Sequence, residues 1–434
     1  MTMTPVSPQA LAIDGGTPVR DRLLPYGRQS VDEADIQAVV EVLRSDWLTT
    51  GPKVVEFEEA FAERVGATHA VSFSSGTAAL HAAAFAAGLK AGDEAITSPL
   101  TFAATANCVL YQGATPIFAD VTQDTLNLDP EQIEKRISPQ TRAILPVDYA
   151  GHPANLAPIR ALAQKHGLTV IEDACHALGA EYSGRRVGGI ADMTVFSFHP
   201  VKHVTTGEGG MVATNNPQFA ETLRRFRNHG ISSEARQRQS AGQWRYEMVL
   251  LGFNYRLPDI LCALGIQQLK RLDANLARRR QIAARYTDAF RQIPGVISPA
   301  VRAEAKPAWH LYPVRLDLEK LNADRAKVFR ALRAENIGVN VHYIPVHLHP
   351  YYRDRFGYQG GEFPVAEDAY ARLISLPMFH GMSDGDVDDV VRAVTKVFNH
   401  FAKDSDGSTA VDTRRTPPQE SPLAAAPATV QSER

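Results

Sequence analysis

Hydrophobic and polar positions change period several times along this chain. Residues 30–46 carry apolar positions at helical spacing: Ile36, Val39, Val40 and Leu43 mark one face, and Ser30 with Glu33 three places on has the pattern of a capping box. A loop follows at 47–52, then a second helix over 54–65 that ends at Gly66. From there short apolar runs alternate with helical patterns. Strands are predicted at 69–73, 94–98, 116–121, 142–147, 168–172, 193–198 and 211–214. Helices are predicted between them at 78–87, 102–110, 130–137 and 156–166, and after the last at 217–228. Strands separated by helices predict βαβ units, hence an α/β fold with a mainly parallel sheet flanked by helices on both faces. In such sheets ligands collect at the carboxyl ends of the strands. Ser75, the 99–102 turn, the 148–151 turn and Asp173 all fall at such ends.

The pattern changes after residue 228. Residues 229–257 are rich in Gly, Ser, Gln and Arg and read as loop. A continuous helical pattern runs over 258–291, long enough to join two domains or to pack against a partner subunit. Beyond it a strand at 309–316, a helix at 323–335, a strand at 338–343 and helices at 363–373 and 384–401 predict a smaller C-terminal α+β domain. The expected division is an N-terminal arm (1–29), a large domain (30–257), the connecting helix (258–291), the small domain (292–402) and a polar, Pro- and Ala-rich tail (403–434) expected to be disordered.

Composition narrows the function. With 44% hydrophobic and 22% charged residues, most of the 434-residue chain has enough apolar content to fold. A net charge of −2 gives no electrostatic case for nucleic acid or for an anionic membrane surface. The cysteines, Cys108, Cys175 and Cys262, are widely spaced, without metal-ligand or disulfide spacing, which suits a reducing cytoplasm. No metal site is expected. No apolar run reaches the roughly 18 residues a membrane span needs, and the first residues do not read as a secretory signal.

The candidate chemistry centres on VFSFHPVKHVTTGEGGM at 195–211. A single lysine, Lys202, stands between His199 and His203, followed by Thr205, Thr206 and a glycine-rich turn. Burial lowers an amine's pKa and makes it a nucleophile. Upstream, Ser75, Gly76 and Thr77 sit between a strand and an alanine-rich helix, where first-turn N–H groups and hydroxyls can hold a phosphate. Asp173 ends a strand and His176 follows three places on. Taken singly, Asp173 reads as a structural cap, His176 as a helix-start histidine and Phe102 as core. Together, a phosphate cradle, a carboxylate and a lysine at one sheet edge are what pyridoxal 5′-phosphate (PLP) needs: the lysine binds the aldehyde carbon and the carboxylate keeps the pyridine nitrogen protonated. Phe102 can cover the ring, and Ser197 lies near the phosphate from the other side. His199 and His203 read as packing groups, and the glycines after Thr206 as making room for cofactor and strand return.

The motifs TTGPKVVEFE (49–58), SSGTAAL (74–80), IEDACHALGA (171–180), SFHPVKHVTTGEGG (197–210) and GFNYRLPDILCALG (252–265) resemble the DegT/DnrJ/StrS-type sugar aminotransferases, over about residues 24–401. The resemblance implies a fold-type I PLP-dependent transferase working as a homodimer with shared active sites. It implies Lys202 as the Schiff-base lysine and proton shuttle, Asp173 as partner of the pyridine nitrogen and His176 near the cofactor's phenolic oxygen. Phe102 would stack on the ring, Ser75, Gly76, Thr77 and Ser197 would hold the phosphate, and Asn254 would reach the phosphate of the neighbouring subunit. Thr50, Tyr255, Arg256, His342 and Tyr343 would face the nucleotide sugar, and L-glutamate would be the amino donor. A finer likeness, carried by PYGRQSVDEADI (25–36) and VHYIPVHLHPYYR (341–353), is to UDP-4-amino-4,6-dideoxy-N-acetyl-β-L-altrosamine transaminases of pseudaminic acid synthesis. Other nucleotide-sugar aminotransferases share much of it. Two rival readings are a deoxygenating relative, which carries histidine at the lysine position, and a PLP-binding regulator without turnover.

Overall fold

The computed structural model of the chain describes residues 10–232, 238 and 241–403. Apart from Lys403, the tail expected to be disordered lies outside the described residues, as do residues 1–9 of the arm. After the arm come α1 (Glu33–Leu43) and α2 (Pro52–Val65). Strands and helices then alternate: β1 (His69–Phe73), α3 (Gly76–Ala86), β2 (Glu94–Thr97), α4 (Ala104–Tyr111), β3 (Thr115–Phe118), α5 (Pro130–Glu134), β4 (Thr141–Leu145), α6 (Leu156–His166) and β5 (Thr169–Asp173). A small hairpin, β6 (Glu181–Tyr182) and β7 (Arg185–Arg186), precedes β8 (Met193–Ser197), β9 (Gly210–Thr214) and α7 (Pro217–Phe226). The rest is α8 (Asp259–Lys270), α9 (Leu272–Phe290), β10 (Val296–Ile297), β11 (Ala305–Lys306), β12 (Tyr312–Leu316), α10 (Arg325–Ala334), α11 (Pro350–Phe356), α12 (Pro364–Arg372), β13 (Leu373–Leu376) and α13 (Asp384–Phe401).

The main sheet has seven strands in the order β1-β9-β8-β5-β4-β2-β3. Six run in one direction and β9 alone is reversed. Its central strands are buried along nearly their whole length, as strands covered on both faces must be. Helix α3 explains part of that cover. Its alanines Ala78, Ala79, Ala82, Ala83 and Ala84 are buried, and so small a face lets the helix lie close on the sheet. Because β9 is reversed, it starts at the edge where β8 ends. The loop between them therefore joins β1, β2, β4 and β5 in presenting its residues at one sheet edge.

Several expected elements differ. The first helix is capped by Asp32 and Asp35, not by Ser30 and Glu33: each side chain of the Asp pair takes the other's backbone N–H, and Arg271 pairs with both. Its buried face is Asp35, Ala38 and Val42, packed on α8, while Ile36 and Leu43 remain exposed. The 258–291 pattern resolves into two helices that meet at Arg271, whose φ of −96° and ψ of 0° depart from the ideal helix. The strand expected at 338–343 is an irregular segment with a single bridge, Asn340 to Ser375. Leu373, expected to end a helix, instead opens β13 beside β12. In the arm, Leu11 and Leu24 are buried with residues of α9, α10 and α13. No described helix is long and apolar enough to cross a membrane.

Candidate active site

Lys202 sits in the return between β8 and β9. Ser197 and Gly210 are register partners, so the return begins and ends at one paired position. It is stitched internally: Phe198 N donates to Gly209 O at 2.9 Å, Thr206 N and Thr205 Oγ1 donate to Phe198 O at 3.0 and 3.1 Å, and Lys202 N donates to His199 O at 2.9 Å. The lysine side chain enters a cavity of about 380 Å³ whose walls include Ser75, Gly76, Thr77, Asp173, His176 and Ser197. That volume lies in the range of small-molecule sites.

One wall is the start of α3. Ser75 is the N-cap, its Oγ accepting Ala78 N at 3.1 Å, and the N–H groups of the first turn have no partners within the helix. Gly76 presses on Ser197: a Cβ there would stand 3.0 Å from Ser197 Cβ. Gly210 presses on the other side, where a Cβ would fall 2.4 Å from Ser75 O. Glycine at 210 is what lets turn and sheet close, and glycine at 76 keeps Ser197 close, into a cradle lined by the hydroxyls of Thr77 and Ser197. Donors without partners at a helix start fit a phosphate.

Opposite the cradle, Asp173 ends β5 and is 6% exposed. Thr105 Oγ1 donates to its Oδ2 at 2.6 Å and Cys175 N donates to its Oδ1 at 3.1 Å. Thr101 Oγ1 lies 2.9 Å from Thr105 Oγ1. Two further acids, Asp148 and Glu172, are fully buried nearby, where Asp148 Oδ1 accepts from Ala154 N at 2.8 Å and Glu172 Oε2 from Thr194 Oγ1 at 2.8 Å. Burial and each other's charge hold Asp148 well above the usual carboxylate range, and burial pushes Glu172 up to about 7. The pair therefore keeps a proton at neutral pH.

Four buried histidines, His176, His203, His310 and His342, surround the lysine. Lys202 Nζ lies 3.4 Å from His310 Nε2. His310 packs on His176 with ring centroids 4.4 Å apart, and Tyr343 Oη is 2.9 Å from His176 Nε2. Burial, then the Lys202 charge, drives His176 and His310 far below the ordinary histidine value and brings His342 down to about 4. His203 is lowered as far by burial and by Arg279. The imidazoles are thus neutral at pH 7. Burial also lowers Lys202, more than Cys175 and Asp173 raise it. Phe102 stands at the cavity mouth, 60% exposed, its ring 6.0 Å from that of Tyr343.

The sequence-predicted residues divide into two places. Lys202, Asp173, His176, Ser75, Gly76, Thr77, Phe102, Ser197, His342 and Tyr343 line one cavity. Thr50 and Arg256 line a different cavity of about 480 Å³. Arg256 Nη1 donates there to Asn228 Oδ1 at 2.7 Å. Asn254 is exposed, and Tyr255 Oη lies 3.2 Å from His81 Nδ1. His199, expected to be a packing group, is exposed at the rim, whereas His203 is buried, its Nε2 donating to Ala308 O at 3.0 Å. Thr105, His310 and Tyr26, which also lines the cavity, are additions to the sequence expectation. Thr105 and His310 lay inside stretches read only as a helix and a strand, and Tyr26 in an arm without periodicity.

The residues present fit PLP: a phosphate cradle, a lysine, a carboxylate held by two donors and an aromatic side chain at the mouth. Comparison with known proteins agrees. A model of the DegT/DnrJ/EryC1/StrS aminotransferase family matches residues 29–395. The spore coat polysaccharide biosynthesis protein SpsC of Bacillus subtilis is 47% identical over 380 residues, 87% of this chain and 98% of SpsC. Helicobacter pylori PseC, an aminotransferase involved in the biosynthesis of pseudoaminic acid, aligns at a TM-score of 0.81 and 34% identity, over 88% of this chain and 100% of PseC. Spr1654 of Streptococcus pneumoniae in its PMP form aligns at a TM-score of 0.82 and 30% identity, over 87% of this chain and 99% of Spr1654, and it has also been solved in a PLP form. The chain belongs to the DegT/DnrJ/EryC1/StrS family of PLP-dependent sugar aminotransferases.

Proposed function

We propose that this sugar aminotransferase moves the amino group of L-glutamate to C4 of a nucleotide-linked 4-keto-6-deoxy sugar, giving UDP-4-amino-4,6-dideoxy-N-acetyl-β-L-altrosamine and 2-oxoglutarate. The observation that carries the reading is the meeting of Lys202, Asp173 and the Ser75–Thr77 turn in one cavity. The bound cofactor supplies an electron sink for the carbon that loses its proton. The protein does the rest. Lys202 takes the proton from glutamate Cα, which requires a neutral amine, and burial lowers its pKa in that direction; in the second half-reaction its protonated form delivers a proton to sugar C4. Asp173, its plane set by Thr105 and Cys175 N, holds the proton of the pyridine nitrogen. Ser75, Gly76, Thr77 and Ser197 bind the phosphate. Phe102 would cover the cofactor's ring, and His176 would stand near its phenolic oxygen.

The finer substrate rests on the likeness to PseC and on the 25–36 and 341–353 motifs. Thr50, Asn254, Tyr255 and Arg256 act in the cavity of a second subunit, Asn254 on the phosphate and the others on the nucleotide sugar. Arg256 offers a planar fork suited to a diphosphate. The exposed apolar side chains Val31, Ile36, Leu43 and Leu48 beside this region support a homodimer.

A panel of UDP-, dTDP-, GDP- and CDP-linked 4-keto-6-deoxy sugars, incubated with glutamate and read by mass spectrometry, tests the reading. Amino transfer to the UDP-linked N-acetyl sugar is expected. Activity confined to a dTDP-linked 3-keto sugar would overturn the substrate and leave the family intact.

A further inference from the structure

Among the described residues, the Lys202 amine has one side-chain hydrogen-bonding neighbour, His310 Nε2. The backbone around His310 is tied on three sides. Ala308 N donates to Gly151 O at 2.9 Å and Leu311 N to Ala150 O at 3.2 Å. His203 Nε2 holds Ala308 O. From the third side, Arg279 Nη1 donates to Trp309 O at 3.0 Å, to His310 O at 3.3 Å and to Met378 O at 2.9 Å. Between them Trp309 takes a left-handed conformation, φ +54°, which a residue without such ties rarely adopts. Arg279 itself is fully buried. Its Nε and Nη2 have no partner, and no described carboxylate pairs with it. A cation buried without a counter-ion is costly, so this one calls for a reason beyond stability.

We propose that His310 is a positioning residue that fixes Lys202 Nζ at the cavity floor, and that Arg279 is the buried cation that mounts His310 through its backbone carbonyl. The proposal rests on Lys202 as the proton carrier but adds two residues, more than 70 positions downstream, to the machinery that controls it. The groups facing the amine are Asp173 and Cys175 from the end of β5, His176, His203, His310, His342 and Arg279. The histidines are neutral and Arg279 keeps its charge at neutral pH, its own value lowered only to about 10. A second positive charge on Lys202 is therefore opposed by burial and by Arg279 together.

The test uses the full chain freed of cofactor, with trace acetic anhydride as the probe and mass spectrometry reading acetylation of Lys202 between about pH 6 and 10. His310→Ala is expected to let water reach Nζ and move the labelling midpoint towards the ordinary lysine value of about 10.4. Loaded with PLP, the same variant should slow the single-turnover reaction with glutamate about 10–100-fold at unchanged glutamate KM. Arg279→Met should raise the midpoint, and Arg279→Lys should keep it near wild type. If His310→Ala is poorly folded, His310→Asn, which keeps a polar side chain, gives the same readings. A wild-type midpoint and a wild-type single-turnover rate in both His310 variants and in Arg279→Met would overturn the proposal. The labelling result also separates the two readings. A shifted midpoint in a protein that aminates no sugar supports the positioning role and sinks the substrate. An unshifted midpoint together with a wild-type single-turnover rate in an active aminotransferase sinks the positioning role alone.

Discussion

Thr105 donates its hydroxyl to Asp173 Oδ2 at 2.6 Å, so a residue at the start of α4 sets the plane of a carboxylate at the end of β5. Hydrogen bonds to a charged acceptor contribute about 1.5–3 kcal/mol. Thr105→Val should lower kcat roughly 10–100-fold by letting Asp173 rotate, with little change in melting temperature. Thr105→Ser, which keeps the hydroxyl, should recover most of the loss. Steady-state kinetics on both variants checks this; an unimpaired Thr105→Val would show that Cys175 N alone suffices.

Lys202→Ala should leave a folded protein that binds PLP without the absorbance of the lysine-bound form and turns over at least about 10³-fold more slowly. Full turnover in this variant would refute the assignment of the proton carrier.

Gly76→Ala isolates the cradle. The new Cβ would stand 3.0 Å from Ser197 Cβ, close enough to push the two walls apart by a few tenths of an ångström. Alanine favours the helix by up to about 1 kcal/mol, so stability should hold while PLP affinity falls about tenfold. Fluorescence titration of the cofactor-free protein measures the affinity, and thermal melts measure the fold.

The Asp148–Glu172 pair gives a stability prediction with a definite sign. Burial raises the folded pKa of Glu172 from 4.5 to about 7, so the folded state binds more protons than the unfolded one within that window. The stability this contributes is fully present below about pH 4.5 and is lost as pH rises through about 7. Glu172→Gln keeps an acceptor for Thr194 Oγ1, which donates to Glu172 Oε2 at 2.8 Å, and offers Asp148 a permanent donor. The variant should flatten this pH dependence and be more stable than wild type at pH 8 by about 1–3 kcal/mol. Urea unfolding at pH 5 and pH 8 decides it; an equal loss of stability for both proteins between those values would refute the shared proton.

Much of the site could be read from the chain because it is local. Ser75–Thr77, Asp173 and Ser197–Lys202 each lie at the end of a strand whose apolar run is plain, and parallel topology brings such ends together. Elements with strong caps also matched: 156–166 ends at left-handed Gly167, and 384–401 opens on a Ser383–Asp386 capping box. What escaped depends on distant partners. His310, Arg279 and Thr105 act on residues 108, 31 and 68 positions away, with no period or motif to mark the pairing. The first helix was misread for a similar reason. The apolar face at Ile36 and Leu43 is real, but Asp35 turns inward to meet Gln268 and Arg271, and those acceptor–donor pairs decide which face is covered.

Reversal of β9 separates two design problems that a wholly parallel sheet would merge. In a parallel crossover, a loop at the strand ends must also lead into a helix that packs on the sheet, so its length and direction are constrained by the fold. Here the lysine rides on a hairpin clamped at Ser197 and Gly210. Its tip carries His203 inside and His199 at the rim, while the clamp fixes the depth of the amine. The sheet specifies where the amine is, and the surrounding side chains are free to specify what it meets.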